Sequence, residues 1–271
     1  MIRIHRGAEP AGLAAARGKA LEVLRGLGLS EHRSTWPPNL RKLLPGNARG
    51  LVIDDLCRQQ ERKCCYCEAI DVPRNLDVEH FRPVAIYPWL GWTWRNLLAA
   101  CRACNQGGGK VARFPLLDDA TRLALWTEPP GAEAPRLLDP ADPDDDDPRA
   151  HLRFEYDSVR DRFVPRGMTP LGQASERGQE TVRILGLDHD DHIERYALYV
   201  QQAIRPEVRS LRGPLELGER AAVVRIWRDR CLGLLAPTRP FRALAEDALR
   251  VFVATFPEPP NTLTDLHPSC M

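Results

Sequence analysis

The chain has 271 residues, 43% of them hydrophobic and 28% charged, with a formal net charge of +1. That length suits one large domain or two modest ones, and the composition is that of an ordinary soluble globular protein. No apolar run approaches the roughly 18 residues needed to span a bilayer, and the opening MIRIHRGAEPAG lacks a signal peptide's apolar core. The expected location is therefore the cytoplasm. In a reducing compartment eight cysteines read as metal ligands before they read as disulfides. The charge is uneven: residues 1–117 hold 18 Lys+Arg against 10 Asp+Glu, and residues 118–150 hold 3 against 10. A basic front half suits a phosphate backbone or an ordinary solvated surface.

In chain order, residues 11–27 (AGLAAARGKALEVLRGL) have helix-forming composition, with Leu21, Leu24 and Leu27 on one face. Pro37 and Pro38 break the next stretch. Residues 47–62 read as a second helix leading into a pair of cysteines. DVEHFRPV and NLLAAC read as two strands, and the residues after Cys101 are expected to open a helix. From Leu117 the character changes. Residues 129–148 contain six prolines and an unbroken acidic run at 144–147, which predicts a linker or a long surface loop. HLRFEYDSVRDRFVP predicts a β-hairpin, since Leu152, Phe154 and Tyr156 alternate before a polar turn. Helices are expected at about 175–186, 189–212, 217–235 and 240–256. In the second of these Ile193, Ala197, Val200 and Ile204 recur at helical spacing, and Arg205, Arg209 and Arg212 form a solvated face.

The chemistry concentrates in the middle of the front half. Cys64-x-x-Cys67 and Cys101-x-x-Cys104 are two knuckles of matched spacing, and two such pairs complete the tetrahedral shell that zinc prefers. Cys65-x-Cys67 is the poorer geometry. The 33 residues between Cys67 and Cys101 leave room for an inserted functional unit. Cys57, Cys231 and Cys270 are isolated thiols. The insert carries Asp77, Glu79, His80 and Asn96, and Asn105 follows the last knuckle. An imidazole titrates near neutrality and can take a proton from water. Carboxylate and amide oxygens suit a hard cation such as magnesium. In a regular strand Glu79 and His80 point to opposite faces. A strand end or a bulge would let both reach one phosphate. Trp89, Trp92 and Trp94 read as packing under the hairpin rather than as base-stacking groups.

Residues 64–116 resemble an HNH endonuclease of ββα-metal fold. The resemblance is carried by Glu79-His80-Phe81-Arg82-Pro83, by Asn96-Leu97, and by Cys101 to Asn105. It implies that His80 is the general base, that Glu79 and Asn105 bind a catalytic divalent cation, most expectedly Mg2+, and that Asn96 holds the loop that orients His80. It gives Asp77 an auxiliary place, and Arg82 and Lys110 are candidate phosphate contacts. The chain departs from the pattern twice: Lys110 stands five residues after Asn105, past Gly107, Gly108 and Gly109, and Glu79 replaces the aspartate common in the family. CCYCE, DVEHFRP, FPLLD, LLDPADPD and TVRILGLD are similar to the PtuB-like subgroup, the HNH nucleases of Septu and retron-associated anti-phage systems. That subgroup implies a PtuA-like ATPase as partner and a nucleic-acid substrate, DNA before RNA.

The expected fold is α+β: a zinc-stapled ββα nuclease core (57–117) with an N-terminal helical segment (1–56), an acidic proline-rich linker or loop (118–150), and a C-terminal hairpin and helical region (151–271). The helices after residue 170 are expected mainly to dock a partner. His189 and His192, beside Asp190 and Asp191, read as part of a helix start rather than as metal ligands. The rival to the nuclease is a zinc-stabilised, non-catalytic nucleic-acid or protein adaptor.

Overall fold

A computed structural model of the chain describes residues 1–37, 49–71, 75–106, 109–129, 131–210 and 229–253. Helix α1 spans Leu13–Gly26 and buries Leu13, Ala20 and Leu24, the stripe that its leucine and alanine spacing dictates. Helix α2, Arg49–Gln59, buries Val52, Ile53 and Leu56. It ends in a turn where Glu61 and Arg62 both adopt positive φ, and that turn delivers the first cysteine knuckle. Strand β1, Leu76–His80, pairs antiparallel with β2, Leu97–Cys101, in an unbroken register from Leu76–Cys101 to His80–Leu97. All five residues of β2 are buried, so this strand is the floor of the region.

The helix expected after Cys101 is a single turn, α3, Arg102–Asn105. The chain then folds back on itself: the amide of Lys110 donates to the carbonyl of Cys104 at 2.8 Å. Only glycine permits this at position 109, because a Cβ there would lie 2.2 Å from the Cys104 carbonyl oxygen.

The predicted hairpin is present as β3, Leu152–Asp157, antiparallel to β4, Arg162–Gly167. Helix α4, Glu176–Leu185, is started by the Ser175 hydroxyl, which accepts from the Gly178 amide at 3.2 Å. Helix α5, Asp190–Tyr199, was expected to run on to residue 212. It passes instead through a π-helical turn, Val200–Ile204, into α6, Arg205–Ser210. Residues 229–234 are helical, and the rest of the helix expected at 217–235 lies outside the described residues. Helix α7, Arg242–Val253, closes the C-terminal region against β3. Val182, Ile193, Tyr196, Val200, Leu244 and Leu249 are buried, so these helices build the core before they offer any surface to a partner.

Among the described residues of 129–148, turns and loop backbone predominate, with a bridge at Pro135 and a 3-10 turn starting at Pro148, and the segment packs onto the core. Leu137 and Leu138 are fully buried, the Leu138 amide donates to the Thr181 hydroxyl at 3.1 Å, and Ile4 donates to the Pro140 carbonyl at 2.7 Å. Part of the acidic run is paired: Asp145 lies 2.6 Å from Arg177, and Arg3 donates to the backbone carbonyls of Asp142 and Asp145. Two buried leucines outweigh the coil-forming prolines, because each contributes roughly 1.5–3 kcal/mol of burial.

The seat of α4 on the hairpin can be tested. A Cβ on Gly178 would lie 2.1 Å from the His151 carbonyl oxygen and 2.7 Å from the Gly167 Cα. Gly178→Ala is therefore expected to lower stability by roughly 1–3 kcal/mol through overpacking, despite alanine's better helix propensity. A thermal midpoint equal to or above wild type would show that α4 is not seated there.

Candidate functional site

The first knuckle is stitched to β2. Cys65 donates its amide to the Ala99 carbonyl at 3.0 Å, and the Gln60 side chain brackets Ala99, accepting from its amide at 2.9 Å and donating to its carbonyl at 2.8 Å. Cys101 ends β2 and Cys104 lies in α3, so the second knuckle arrives on the same scaffold. The four sulfurs of Cys64, Cys67, Cys101 and Cys104 lie within 4.8 Å of one another, all in buried residues. The Cys67 and Cys101 sulfurs are 3.8 Å apart. Two sulfurs of a tetrahedral zinc site, each about 2.3 Å from the metal, stand about 3.8 Å apart. The cluster can hold a zinc ion. Cys65 is buried but belongs to no such group among the described residues.

Electrostatics point the same way. Burial pushes the Cys64 thiol up, but contacts with Cys101, Cys104, Cys65 and Cys67 outweigh it and bring it well below the ordinary range. The hydrogen bond to Cys101 is the first cause pushing Cys67 and Cys104 well above it. One thiolate thus suppresses its neighbours' ionisation. A dication removes that conflict, because each thiolate then faces positive charge.

The segment after β1 forms a tight loop. Phe81 donates its amide to the Asn96 carbonyl at 2.9 Å, and the amides of Ile86 and Tyr87 both reach the Pro83 carbonyl. The buried Asn96 side chain is the clamp. Its Oδ1 accepts from the Arg82 amide at 2.7 Å, and its Nδ2 donates to the carbonyls of Arg82 at 3.0 Å and Leu90 at 3.1 Å. The loop brings the Gly91 carbonyl to 3.0 Å from Nε2 of the half-buried His80. A carbonyl only accepts, so Nε2 carries the proton. The unprotonated nitrogen of the neutral ring is then Nδ1.

Glu79 faces the other way. The register has no bulge between Leu76 and His80, so the two side chains leave opposite faces of β1. The Glu79 carboxylate is 2% exposed. It lies 2.8 Å from the Lys110 ammonium and accepts from the Tyr66 hydroxyl at 3.0 Å. Burial raises its pKa, while Lys110 and Tyr66 pull it back. Lys110, expected near a phosphate, is completely buried and also donates to the His80 carbonyl at 2.8 Å. Arg82, the other expected phosphate contact, is buried against Glu133 at 2.7 Å, and Tyr87 donates to the same carboxylate. In both cases an internal carboxylate satisfies a cation that linear sequence places near His80. The auxiliary Asp77 accepts from Gln106 at 2.5 Å, and Asn105 is half-buried at the end of α3.

The divalent cation implied by the HNH resemblance does not fit Glu79 in this arrangement. The carboxylate already carries a buried ammonium, and among the described residues the four cysteines are the group of His, Cys, Asp and Glu placed to hold a metal.

Linear sequence did not point to Tyr66 or Glu133 as partners of these charges, and it placed His192 at a helix start. The structure puts His189 at the N-cap of α5, with Asp190 and Asp191 in its first turn as the dipole favours. His192 is buried, and its Nε2 is 3.7 Å from the Cys104 sulfur. The three tryptophans are buried, with Trp89 donating to the Thr127 carbonyl at 2.7 Å and Trp94 to the Gly7 carbonyl at 3.0 Å.

No protein-family model matches the chain. It is similar to Septu protein PtuB of Bacillus mycoides (strain KBAB4), with 26% identity over 232 residues, which cover 79% of this chain and 72% of that protein. A Septu protein PtuB of Bacillus thuringiensis is 42% identical over 56 residues, 20% of this chain and 22% of that one. Protein ea31 of Escherichia phage lambda is 35% identical over 74 residues, 25% of this chain and 24% of that one. The first likeness runs through most of the chain, and the other two are local.

Two predictions follow from this geometry. Cys67→Ser, or removal of metal by a chelator, is expected to lower zinc content and unfold the protein, since structural zinc contributes on the order of 10 kcal/mol in small domains. Zinc-free protein that stays folded by circular dichroism would refute this. Lys110→Met leaves Glu79 buried without its cation and is expected to cost about 3–5 kcal/mol at neutral pH. The deficit shrinks as pH falls, because the raised Glu79 carboxyl then takes a proton and no longer needs a counter-charge. Adding Glu79→Gln should recover part of the loss in urea unfolding. A double variant no more stable than Lys110→Met would show that the pair is not the cause.

Proposed function

We propose that this chain is an HNH-type endonuclease that hydrolyses nucleic-acid phosphodiester bonds, and that it serves anti-phage defence with a PtuA-like ATPase partner. The observation that carries the nuclease reading is the 3.0 Å contact between His80 Nε2 and the Gly91 carbonyl, inside a loop clamped by Asn96. That contact fixes ring orientation and tautomer, as a general base requires. The carbonyl also supports positive charge on the ring once it gains a proton. In this reading a water held at His80 gives its proton to Nδ1 while its oxygen attacks phosphorus. The phosphorus–oxygen bond to the 3′ oxygen then breaks, and the departing oxygen takes a proton from solvent water. Asn96 acts as a positioning residue, and Lys110 fixes the His80 backbone through its carbonyl. The likeness to Septu protein PtuB over most of the chain supports the defence role and the ATPase partner.

One observation favours the adaptor reading: the Glu79 carboxylate is committed to Lys110 and Tyr66. The same experiment separates the two. Wild type and His80→Ala are incubated with plasmid and with tRNA, with magnesium or with chelator, and with and without the ATPase. Wild type is expected to cut and the variant to lose roughly 10²- to 10⁴-fold in rate, with zinc content and fold unchanged. A variant within twofold of wild type would remove His80 as the base. A wild type that binds nucleic acid but never cuts it would establish the adaptor.

A further inference from the structure

Helix α5 reaches the cysteine cluster from 88 residues away in sequence, and its His192 side chain stands at hydrogen-bond distance from Cys104. His192 Nε2 lies 3.7 Å from the Cys104 sulfur, an N–H···S distance. The ring is 2% exposed. It lies near-parallel to the Tyr196 ring, at 18° and 6.1 Å between centroids. Its other nitrogen, Nδ1, has no hydrogen-bond partner among the described residues.

These facts decide the tautomer. With the proton on Nδ1, a buried N–H would lack an acceptor and the Nε2 lone pair would face an anionic sulfur. With the proton on Nε2, the N–H points at the sulfur and only a weak acceptor is left unpaired. A buried donor left unsatisfied costs about 1–3 kcal/mol, so the second arrangement wins. His192 is not a fifth ligand: the sulfurs that lie mutually within 4.8 Å form a group of four cysteines without it, and a structural zinc site takes four ligands. Four thiolates around one dication leave two net negative charges in a buried place. An N–H donor aimed at one thiolate stabilises that negative charge and orients the sulfur that carries it.

We infer that His192 is a positioning residue of the zinc centre, donating from Nε2 to the Cys104 thiolate and so coupling helix α5 to metal retention. The inference rests on the four cysteines holding zinc. It makes the C-terminal helices and the knuckle one cooperative unit, although among the described residues the four-cysteine group ends at residue 104.

The test uses the full chain. Zinc content of wild type is measured first, then zinc transfer to a chromogenic chelator for wild type, His192→Phe, His192→Gln and Tyr196→Leu. Phenylalanine keeps the aromatic packing and removes the donor. Glutamine returns an N–H at similar reach. Tyr196→Leu disturbs the packing and keeps the donor. Zinc loss is expected to be about 10- to 100-fold faster in His192→Phe, with His192→Gln and Tyr196→Leu within a few fold of wild type. The cobalt-substituted proteins report the ligand set. His192→Phe should keep the sulfur-to-cobalt absorption of four thiolates, shifted in energy.

Equal release from wild type and His192→Phe would overturn the inference. So would release from Tyr196→Leu as fast as from His192→Phe, since packing would then be the cause. A cobalt spectrum that loses a ligand in His192→Phe would make His192 a ligand instead. If His192→Phe is insoluble, the comparison of His192→Gln with His192→Asn decides, since asparagine's amide falls short of the sulfur and should release zinc faster. Zinc-free wild type would defeat the metal reading itself, an outcome distinct from the others.

Discussion

The convergence of four buried sulfurs within 4.8 Å is the constraint on which the front half of the molecule depends. Four thiols in one dry space cannot all ionise without a cation, and their sulfurs meet at the spacing of a metal shell. A zinc ion held there would turn that conflict into a crosslink. It would tie the turn after α2 to the end of β2 and to α3, elements that hold little structure alone. A two-stranded sheet of five-residue strands is marginal in water. Here Leu76 pairs with Cys101, so the crosslink sits at one end of the sheet, and His80 stands four residues along at the other. That separation is about 13 Å along a strand. The cluster can therefore make the histidine's platform rigid without touching it.

The same region is dense in buried charge, and the charges are matched internally. Glu79 meets Lys110 and Tyr66, Arg82 meets Glu133, and Glu68 lies among the Met1 amine and the amide of Ala243. Desolvating an isolated ion costs several kcal/mol, so such groups persist only as pairs. The pairing also decides which charged groups are taken up inside the fold. Glutamate, lysine and arginine beside the histidine are internal supports. The imidazole of His80 remains half-buried, aligned by the Gly91 carbonyl and the Asn96 clamp.

The acidic segment before the hairpin is a strap. Glu133 holds Arg82 and takes the Tyr87 hydroxyl, the Leu116–Pro135 bridge pins its start, and Arg177 gathers Asp145 at its end. Through it the loop that carries His80 and the helix α4 that packs on β4 share contacts. His192 makes a second link from the same C-terminal region, at the cysteine cluster. Helices after residue 170 thus brace both ends of the β1–β2 platform.

Much was legible from sequence. The two Cys-x-x-Cys knuckles announced the cluster, because ligand spacing is a local property of a tight turn. The helix at 13–26 and the hairpin at 152–167 followed from apolar periodicity, and the tryptophans' burial followed from their size. What sequence could not decide was the partner of each charge. Glu79 and His80 are neighbours in the chain, yet an unbroken strand register sends them to opposite faces. Lys110 finds Glu79 only because Gly109 lets the backbone turn back at Cys104. Prolines and aspartates made residues 129–148 look like a linker, and two leucines together with Arg177 bind them to the core. His192 gave no local sign of the sulfur it faces. Local pattern placed the four cysteines that can hold a metal. Long-range packing alone decided which charges are desolvated, because burial depends on what arrives from distant parts of the chain.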